Sequence, residues 1–330
     1  MDPLDCTILE HFEAHDQRGL ARAISRAESG AGEALARALH DRVGRALTVG
    51  LTGPPGVGKS TLAAALVRRA RSNGRSVGVI SVDPSSPFSK GAILGDRIRL
   101  GEHFDDRDVF IRSMAARGHL GGLAGATADA VAFMDAFGLD VIFVETVGVG
   151  QSEIEIAQLA QTTVVVLQPG SGDSVQVLKA GILEVADLFV VNKADHPMAL
   201  QLTRDVRGMM EMLDFHGWTP PLVLTQAHSG TGIDEVWEAI LAHDAYLRAS
   251  GEGARRRAAA FAHRVRMLVL GAVEERVERE IANVVAHDAS AGSDPYAAAA
   301  RVRARLHSDE ERSQATALPD TSPRATVRGL

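Results

Sequence analysis

The stretch that most constrains this chain is Leu47–Thr52 followed directly by Gly53-Pro54-Pro55-Gly56-Val57-Gly58-Lys59-Ser60-Thr61. A short apolar strand running into GxxxxGKS, with a helical pattern opening at Ser60, is a phosphate-binding loop in its required setting. Glycines let backbone N–H groups turn inward around phosphate oxygens, where a Cβ would obstruct them. Lys59 places a point charge on the β- and γ-phosphates, and Ser60 offers its hydroxyl to Mg²⁺. The helix N-terminus adds its dipole. The expected nucleotide contacts are therefore Gly53, Pro54, Pro55, Gly56, Val57, Gly58, Lys59, Ser60 and Thr61.

A strand–loop–helix unit of this kind needs a parallel sheet around it, and the chain supplies one. Short Val/Ile-rich runs occur at Leu47–Thr52, Val77–Val82, Val109–Arg112, Val141–Val144, Thr163–Leu167, Leu188–Val191 and Leu222–Thr225. Helical stretches separate most of them, so the expected fold is α/β: a P-loop NTPase G domain with a mostly parallel central sheet flanked by helices. Ligands in such sheets bind beyond the carboxyl ends of the strands. Residues 4–45 and 254–286 carry helical spacing instead, and residues 308–330 carry no periodic apolar pattern. The expected organisation is an N-terminal helical extension (1–46), a G domain (47–245), a C-terminal helical region (246–307) and a disordered tail (308–330).

Composition excludes several other classes. Only 10 Phe, 2 Trp and 2 Tyr occur in 330 residues, too few for a base-stacking surface, and the net charge of −7 argues against a nucleic-acid backbone binder. A single cysteine, Cys6, excludes an intramolecular disulfide and a Cys-rich metal site, and it lies near a terminus expected to fray. No apolar run approaches ~18 residues, so no membrane span is expected. The acidic N-terminus lacks the pattern of a signal peptide, and a reducing cytoplasm is the expected compartment. His103, His119 and His228 read as loop or packing residues and not as metal ligands.

Two further strand ends indicate which nucleotide binds. Leu188–Val191 ends in Asn192-Lys193-Ala194-Asp195. An ionised Asp accepts only, so Asp195 can take hydrogen bonds from guanine N1–H and its exocyclic amine together, a donor pair that adenine lacks. Lys193 would lie along the base and Asn192 would brace the loops; a lone NKAD also reads as a helix cap by Asp195. The next strand ends in Thr225-Gln226-Ala227, where the Ala227 N–H could reach guanine O6. Val141–Val144 runs into Glu145-Thr146-Val147-Gly148. Glu145 can hold a Mg²⁺-bound water, and the Gly148 N–H can sense the γ-phosphate.

Longer strings carry a family. Ser81-Val82-Asp83-Pro84-Ser85-Ser86-Pro87, Gly91–Arg97, Arg117–Leu123, Glu145–Glu153 and Pro169-Gly170-Ser171-Gly172-Asp173 resemble the methylmalonyl-CoA-mutase-associated GTPases (MeaB/ArgK type). The resemblance runs in order over roughly residues 5–285, with departures at Ala116 and Gln226. It implies a homodimer formed through C-terminal helices. It also implies a Mg²⁺-dependent GTP hydrolase that cycles between GTP and GDP; without a clear water-positioning group, a low intrinsic rate is expected. The implied role is a chaperone gating adenosylcobalamin loading and protection on an acyl-CoA mutase.

By position, the resemblance matches Asp83 and Asp96 to carboxylates that organise Mg²⁺ and the first switch, and Gly148–Gln151 to the second switch. Asp173, Gln176 and Lys179 match a segment that senses the mutase. Read from the residues alone, Asp83 serves equally as a turn former and Asp96 as a helix cap. Gln151 is a candidate to orient the attacking water, three residues after Gly148. Arg97, Arg99 and Arg112 are candidates for transition-state charge or, alternatively, for surface ion pairs. Two other functions stay open: a GTPase metallochaperone for another metalloenzyme, and a nucleotide-dependent kinase.

Overall fold

The computed structural model describes residues 2–84, 101–103, 105–116, 122–146, 152–170, 182–215, 217–287 and 294–317. Seven strands form one sheet in the order β3-β2-β4-β1-β5-β6-β7. They are β1 (Leu47–Thr52), β2 (Val77–Pro84), β3 (Val109–Ala116), β4 (Val141–Thr146), β5 (Thr162–Leu167), β6 (Leu188–Val191) and β7 (Leu222–Leu224). Every neighbouring pair is parallel. Each strand expected from the sequence is present, with β2, β3 and β4 running on by two to four residues.

Residue parity explains why the strands carry apolar residues on both faces. Val141 and Phe143 face one core with Leu47, Val49 and Leu51, whereas Ile142 and Val144 face another with Ile80. The first core is closed by α4 (Lys59–Ser72) and α9 (Ile233–Ser250), through Leu62, Leu66, Val236 and Ile240. The second is closed by α5 (Gly122–Phe137) and α6 (Ser152–Leu159), through Phe133 and Ile156. A third cluster sets Val165, Leu167, Phe189 and Val191 against Leu202 and Val206 of α8 (Ala199–Met210). A four-residue helix, α7 (Ile182–Val185), leads into β6.

The N-terminal helices α1 (Pro3–Glu13), α2 (Gln17–Glu28) and α3 (Glu33–Leu39) are not an appendage. Ile8, Phe12, Leu20, Ile24, Leu35 and Leu39 lie in the same core as Phe133 and Ile142. The chain start is also held rather than frayed. Asp2 and Asp5 form a capping box, and Arg26 pairs with both carboxylates. Cys6 is exposed on that capped helix.

The chain divides into two compact units, Met1–Val265 and Arg266–Leu330. The boundary expected at residue 245 falls within α9, which ends at Gly251 in the left-handed conformation. The next helix, α10 (Glu252–His287), begins in the first unit. Within the second unit, α10 and α11 (Pro295–Ala317) are tied by Arg276 to the Leu306 carbonyl at 2.7 Å, and Val284 and Val302 are buried. Helix α11 continues past residue 307, where the expected tail begins. Its last turns, Ser308–Ala317, lack an apolar face but are rich in Glu, Arg, Gln and Ala, which sustain helix. Residues 318–330 lie outside the described residues.

At the amino ends of the strands, a buried polar group fastens α9 and α10 to the sheet. Asp187, just before β6, accepts from Arg256 at 2.8 and 2.9 Å and from the Thr163 N–H at 2.8 Å. Its neighbour is His243, fully buried, with Nδ1 at 2.8 Å from Thr162 Oγ1 and Nε2 at 3.3 Å from Asp187 Oδ1. Burial holds the His243 imidazole below its ordinary pKa despite the pull of Asp187, and the Arg256 charge pushes the same way as burial. A histidine kept neutral in the fold is protonated more readily in the unfolded chain. Its contribution is therefore complete above the unfolded value near 6.5 and is lost as pH falls towards the folded value. The urea midpoint should drop between about pH 7.5 and 5.5, and His243→Asn should flatten that drop. An unchanged slope in the variant contradicts this assignment.

Candidate functional site

The carboxyl ends of β1, β4, β6 and β7 converge on one face. Between β1 and α4, the turn Gly53–Gly58 owes its path to glycine at two points. Gly53 stands at φ 138, and a Cβ there would lie 2.1 Å from the Val166 carbonyl oxygen. Gly58 caps α4 at φ 97, and a Cβ there would lie 2.4 Å from Asn192 Nδ2. No other residue fits either place without displacing a neighbouring strand or loop. Pro55 and Gly56 are exposed at the tip, whereas Pro54 and Val57 are buried beneath it and Thr61 is half-buried.

The Lys59 ammonium, 5% exposed, donates to the Gly53 and Pro54 carbonyls at 2.8 and 2.9 Å. These bonds fold the side chain back over the turn, in position for anionic oxygens cradled by the loop. One residue on, Ser60 Oγ donates to Glu145 Oε1 at 2.6 Å, with both side chains buried. Glu145 reaches this place because β4 pairs with β1 in a register that sets it beside Leu51.

The base-side loop is built around Asn192, 3% exposed at the end of β6. Its Nδ2 donates to the Val57 carbonyl at 2.8 Å; its Oδ1 accepts from Thr225 Oγ1 and the Ala227 N–H, both at 3.1 Å. The expected brace is therefore present and spans three loops. The same bonds direct the Ala227 N–H at Asn192 in this structure, instead of leaving it open to a base. Gln226 is a turn former: its N–H donates to the Thr231 carbonyl and its own carbonyl accepts from Ser229 and Gly230. Lys193 stands at φ 57 and donates to the Gly56 carbonyl at 3.0 Å. Asp195 is exposed and caps nothing; the residue before α8 is Met198, which makes no side-chain cap. The alternative reading of NKAD as a helix cap is thus removed.

Other candidates are placed elsewhere or not described. Arg112, on β3, pairs with Glu28 and donates to Ser25 Oγ at 3.0 Å, so it anchors α2 and is not a cation of this site. His103 is buried, and His228 is exposed. Asp83 is the penultimate residue of β2, with its side chain outside the described residues; Asp96, Arg97, Arg99, His119, Gly148, Gln151, Asp173, Gln176 and Lys179 lie wholly outside them. Among the described residues, no group of three or more His, Cys, Asp or Glu is placed to hold a metal, and no helix is long and apolar enough to cross a membrane. Sequence reasoning missed Gln168, which accepts from Lys193 Nζ. The one signal in the sequence was its place directly after the apolar run of β5.

A glycine-shaped loop ahead of a helix, a buried hydroxyl–carboxylate pair and an Asn-Lys-Ala-Asp loop, all at the carboxyl ends of strands in one parallel sheet, define a P-loop guanine-nucleotide protein. The profile of the family described as "Methylmalonyl Co-A mutase-associated GTPase MeaB" matches residues 20–282. A Pyrococcus horikoshii protein named as a GTPase is 44% identical, covering 91% of this chain and 97% of that protein. The Escherichia coli GTPase ArgK is 38% identical over 66% of this chain and 69% of its own. The Mus musculus mitochondrial "Methylmalonic aciduria type A homolog" is also 38% identical, over 65% of this chain and 53% of that protein. A solved structure described as an LAO/AO transport system kinase superposes with a TM-score of 0.67 at 25% identity, covering 93% of this chain and 99% of that one.

The chain belongs to the methylmalonyl-CoA mutase-associated GTPase family, and is a GTP-hydrolysing P-loop protein that binds guanine nucleotide. Asn192→Ala should cost about 3 kcal/mol of stability, since three hydrogen bonds each contribute about 1 kcal/mol. Fluorescent GDP should dissociate at least about tenfold faster, because the phosphate and base loops lose their common tie. Denaturant titration and stopped-flow displacement measure the two effects, and native values for both would refute the brace.

Proposed function

We propose that this protein is a Mg²⁺-dependent GTP hydrolase that serves as a G-protein chaperone for an adenosylcobalamin-dependent acyl-CoA mutase, gating cofactor loading and protection. The observation that carries this reading is the family match over residues 20–282, which spans the whole site and most of α10. The mouse relative, named for methylmalonic aciduria, supports the same partner class. The oxygen donors at the carboxyl end of β4 suit a hard divalent cation: Ser60 and Glu145 would hold Mg²⁺ there, where it would neutralise developing phosphate charge. Lys59 and the Gly53–Gly58 turn would bind the phosphates, and Asp195 and Lys193 the base. Asp83, Asp96, Gly148 and Gln151 remain proposed switch and metal-side residues, and Asp173, Gln176 and Lys179 proposed mutase-sensing ones.

We also propose that the protein works as a cytoplasmic homodimer. Helix α10 supports this, because Phe261, Leu268, Val269 and Val273 are more than half exposed along it. A run of large apolar side chains left in water on one helix is the usual mark of a partner surface. A second reading, phosphoryl transfer to an acceptor other than water, draws on the kinase description of the structural neighbour.

Phosphate release from GTP, measured with and without an acyl-CoA mutase, tests the proposal. The mutase should bind and change turnover by about tenfold or more, in line with switches ordered by a partner. No binding and unchanged turnover would remove the chaperone reading. Label transferred from γ-labelled GTP to a small molecule would favour the kinase.

A further inference from the structure

The base-side loop has a second support that the Asn-Lys-Ala-Asp motif does not contain. β5 ends at Leu167, and the next residue, the half-buried Gln168, accepts a hydrogen bond from Lys193 Nζ through its side-chain oxygen. The same ammonium donates to the Gly56 carbonyl at 3.0 Å. Lys193 itself stands at φ 57, a left-handed conformation that costs a non-glycine residue about 1 kcal/mol or more. Its backbone is thus strained and its long stem is held at the far end by two acceptors.

The contact is set by the sheet. Strands β5 and β6 are paired with Leu167 opposite Val191, and the Asn192 N–H donates to the Leu167 carbonyl at 2.8 Å. A second point of contact follows at Gly170, φ 76, where an added Cβ would lie 3.4 Å from the His196 ring. Gln168 and Gly170 therefore both approach the loop Asn192–His196.

We propose that Gln168 is a positioning residue for the guanine nucleotide. Its amide oxygen takes one of the three ammonium protons of Lys193, and the Gly56 carbonyl takes another. With its end pinned between β5 and the phosphate loop, the methylene stem of Lys193 forms a fixed wall for the base that Asp195 recognises. A flexible lysine is then ordered before the nucleotide arrives, so binding does not bear that entropy.

The test compares Gln168→Met, which keeps stem length and loses the acceptor, with Gln168→Glu, which keeps an acceptor at the same reach. Dissociation of fluorescent GDP is followed in the full chain by stopped flow, with thermal melts alongside. Gln168→Met should accelerate dissociation roughly fivefold, the worth of one hydrogen bond. Gln168→Glu should restore it to within about twofold of native. In a Lys193→Met background, Gln168→Met should add nothing, because the donor is already gone. Native dissociation in Gln168→Met, failure of Gln168→Glu to restore it, or an undiminished effect without the Lys193 ammonium would each overturn the proposal. A lowered melting temperature in Gln168→Met that Gln168→Glu does not recover, with dissociation unchanged, would also overturn it. None of these readouts involves a mutase, so they stand apart from the partner reading.

Discussion

One side chain holds the nucleotide end of this protein together. Asn192 joins the Val57 carbonyl, the Thr225 hydroxyl and the Ala227 N–H, which belong to loops following β1 and β7. In the sheet, β1 and β6 are not neighbours, since β5 lies between them. The phosphate loop and the base loop therefore cannot be registered by strand pairing alone. A buried amide with a donor and an acceptor solves this, because leaving any of its partners unpaired would cost about 1–3 kcal/mol. The absence of a Cβ at Gly58 follows from the same contact, since that space is taken by Asn192 Nδ2.

Around that tie, the fold separates two kinds of polar chemistry. At the carboxyl ends of the strands lie Lys59, Ser60, Glu145, Asn192 and Lys193, each placed by a strand end or the helix turn that follows it. At the amino ends, Asp187, Arg256 and His243 serve structure, joining α9 and α10 to the start of β6. β6 is only four residues long, so a carboxylate that anchors a helix and an amide that anchors the nucleotide loops sit at opposite ends of one short rod.

Much of this was legible in the residues, and the reasons are physical. Strands buried on both faces are largely apolar, so runs such as Leu188–Val191 stand out without an alignment. The phosphate loop and Asn192–Asp195 are local motifs whose residue types follow from the ligand. What was not legible is long-range. No local pattern tells that Arg112 turns away to Glu28, that Arg256 reaches Asp187, or that the N-terminal helices share a core with Phe133 and Ile142. Gln168 was missed because its role depends on β5 lying beside β6, and strand order is not written in strand composition. Helix α11 outlasted the apolar pattern that was used to end it, since helix-forming charged residues need no buried face to continue a turn.

The loop at the end of β6 is proposed to read guanine through Asp195. Replacing the carboxylate by an amide in Asp195→Asn substitutes a donor for one acceptor. The most direct measurement is the affinity of that variant for GTP and for xanthosine triphosphate, whose base carries an acceptor where guanine carries its amine. GTP binding should weaken while xanthosine triphosphate binding strengthens. Unchanged GTP affinity in the variant would contradict this reading.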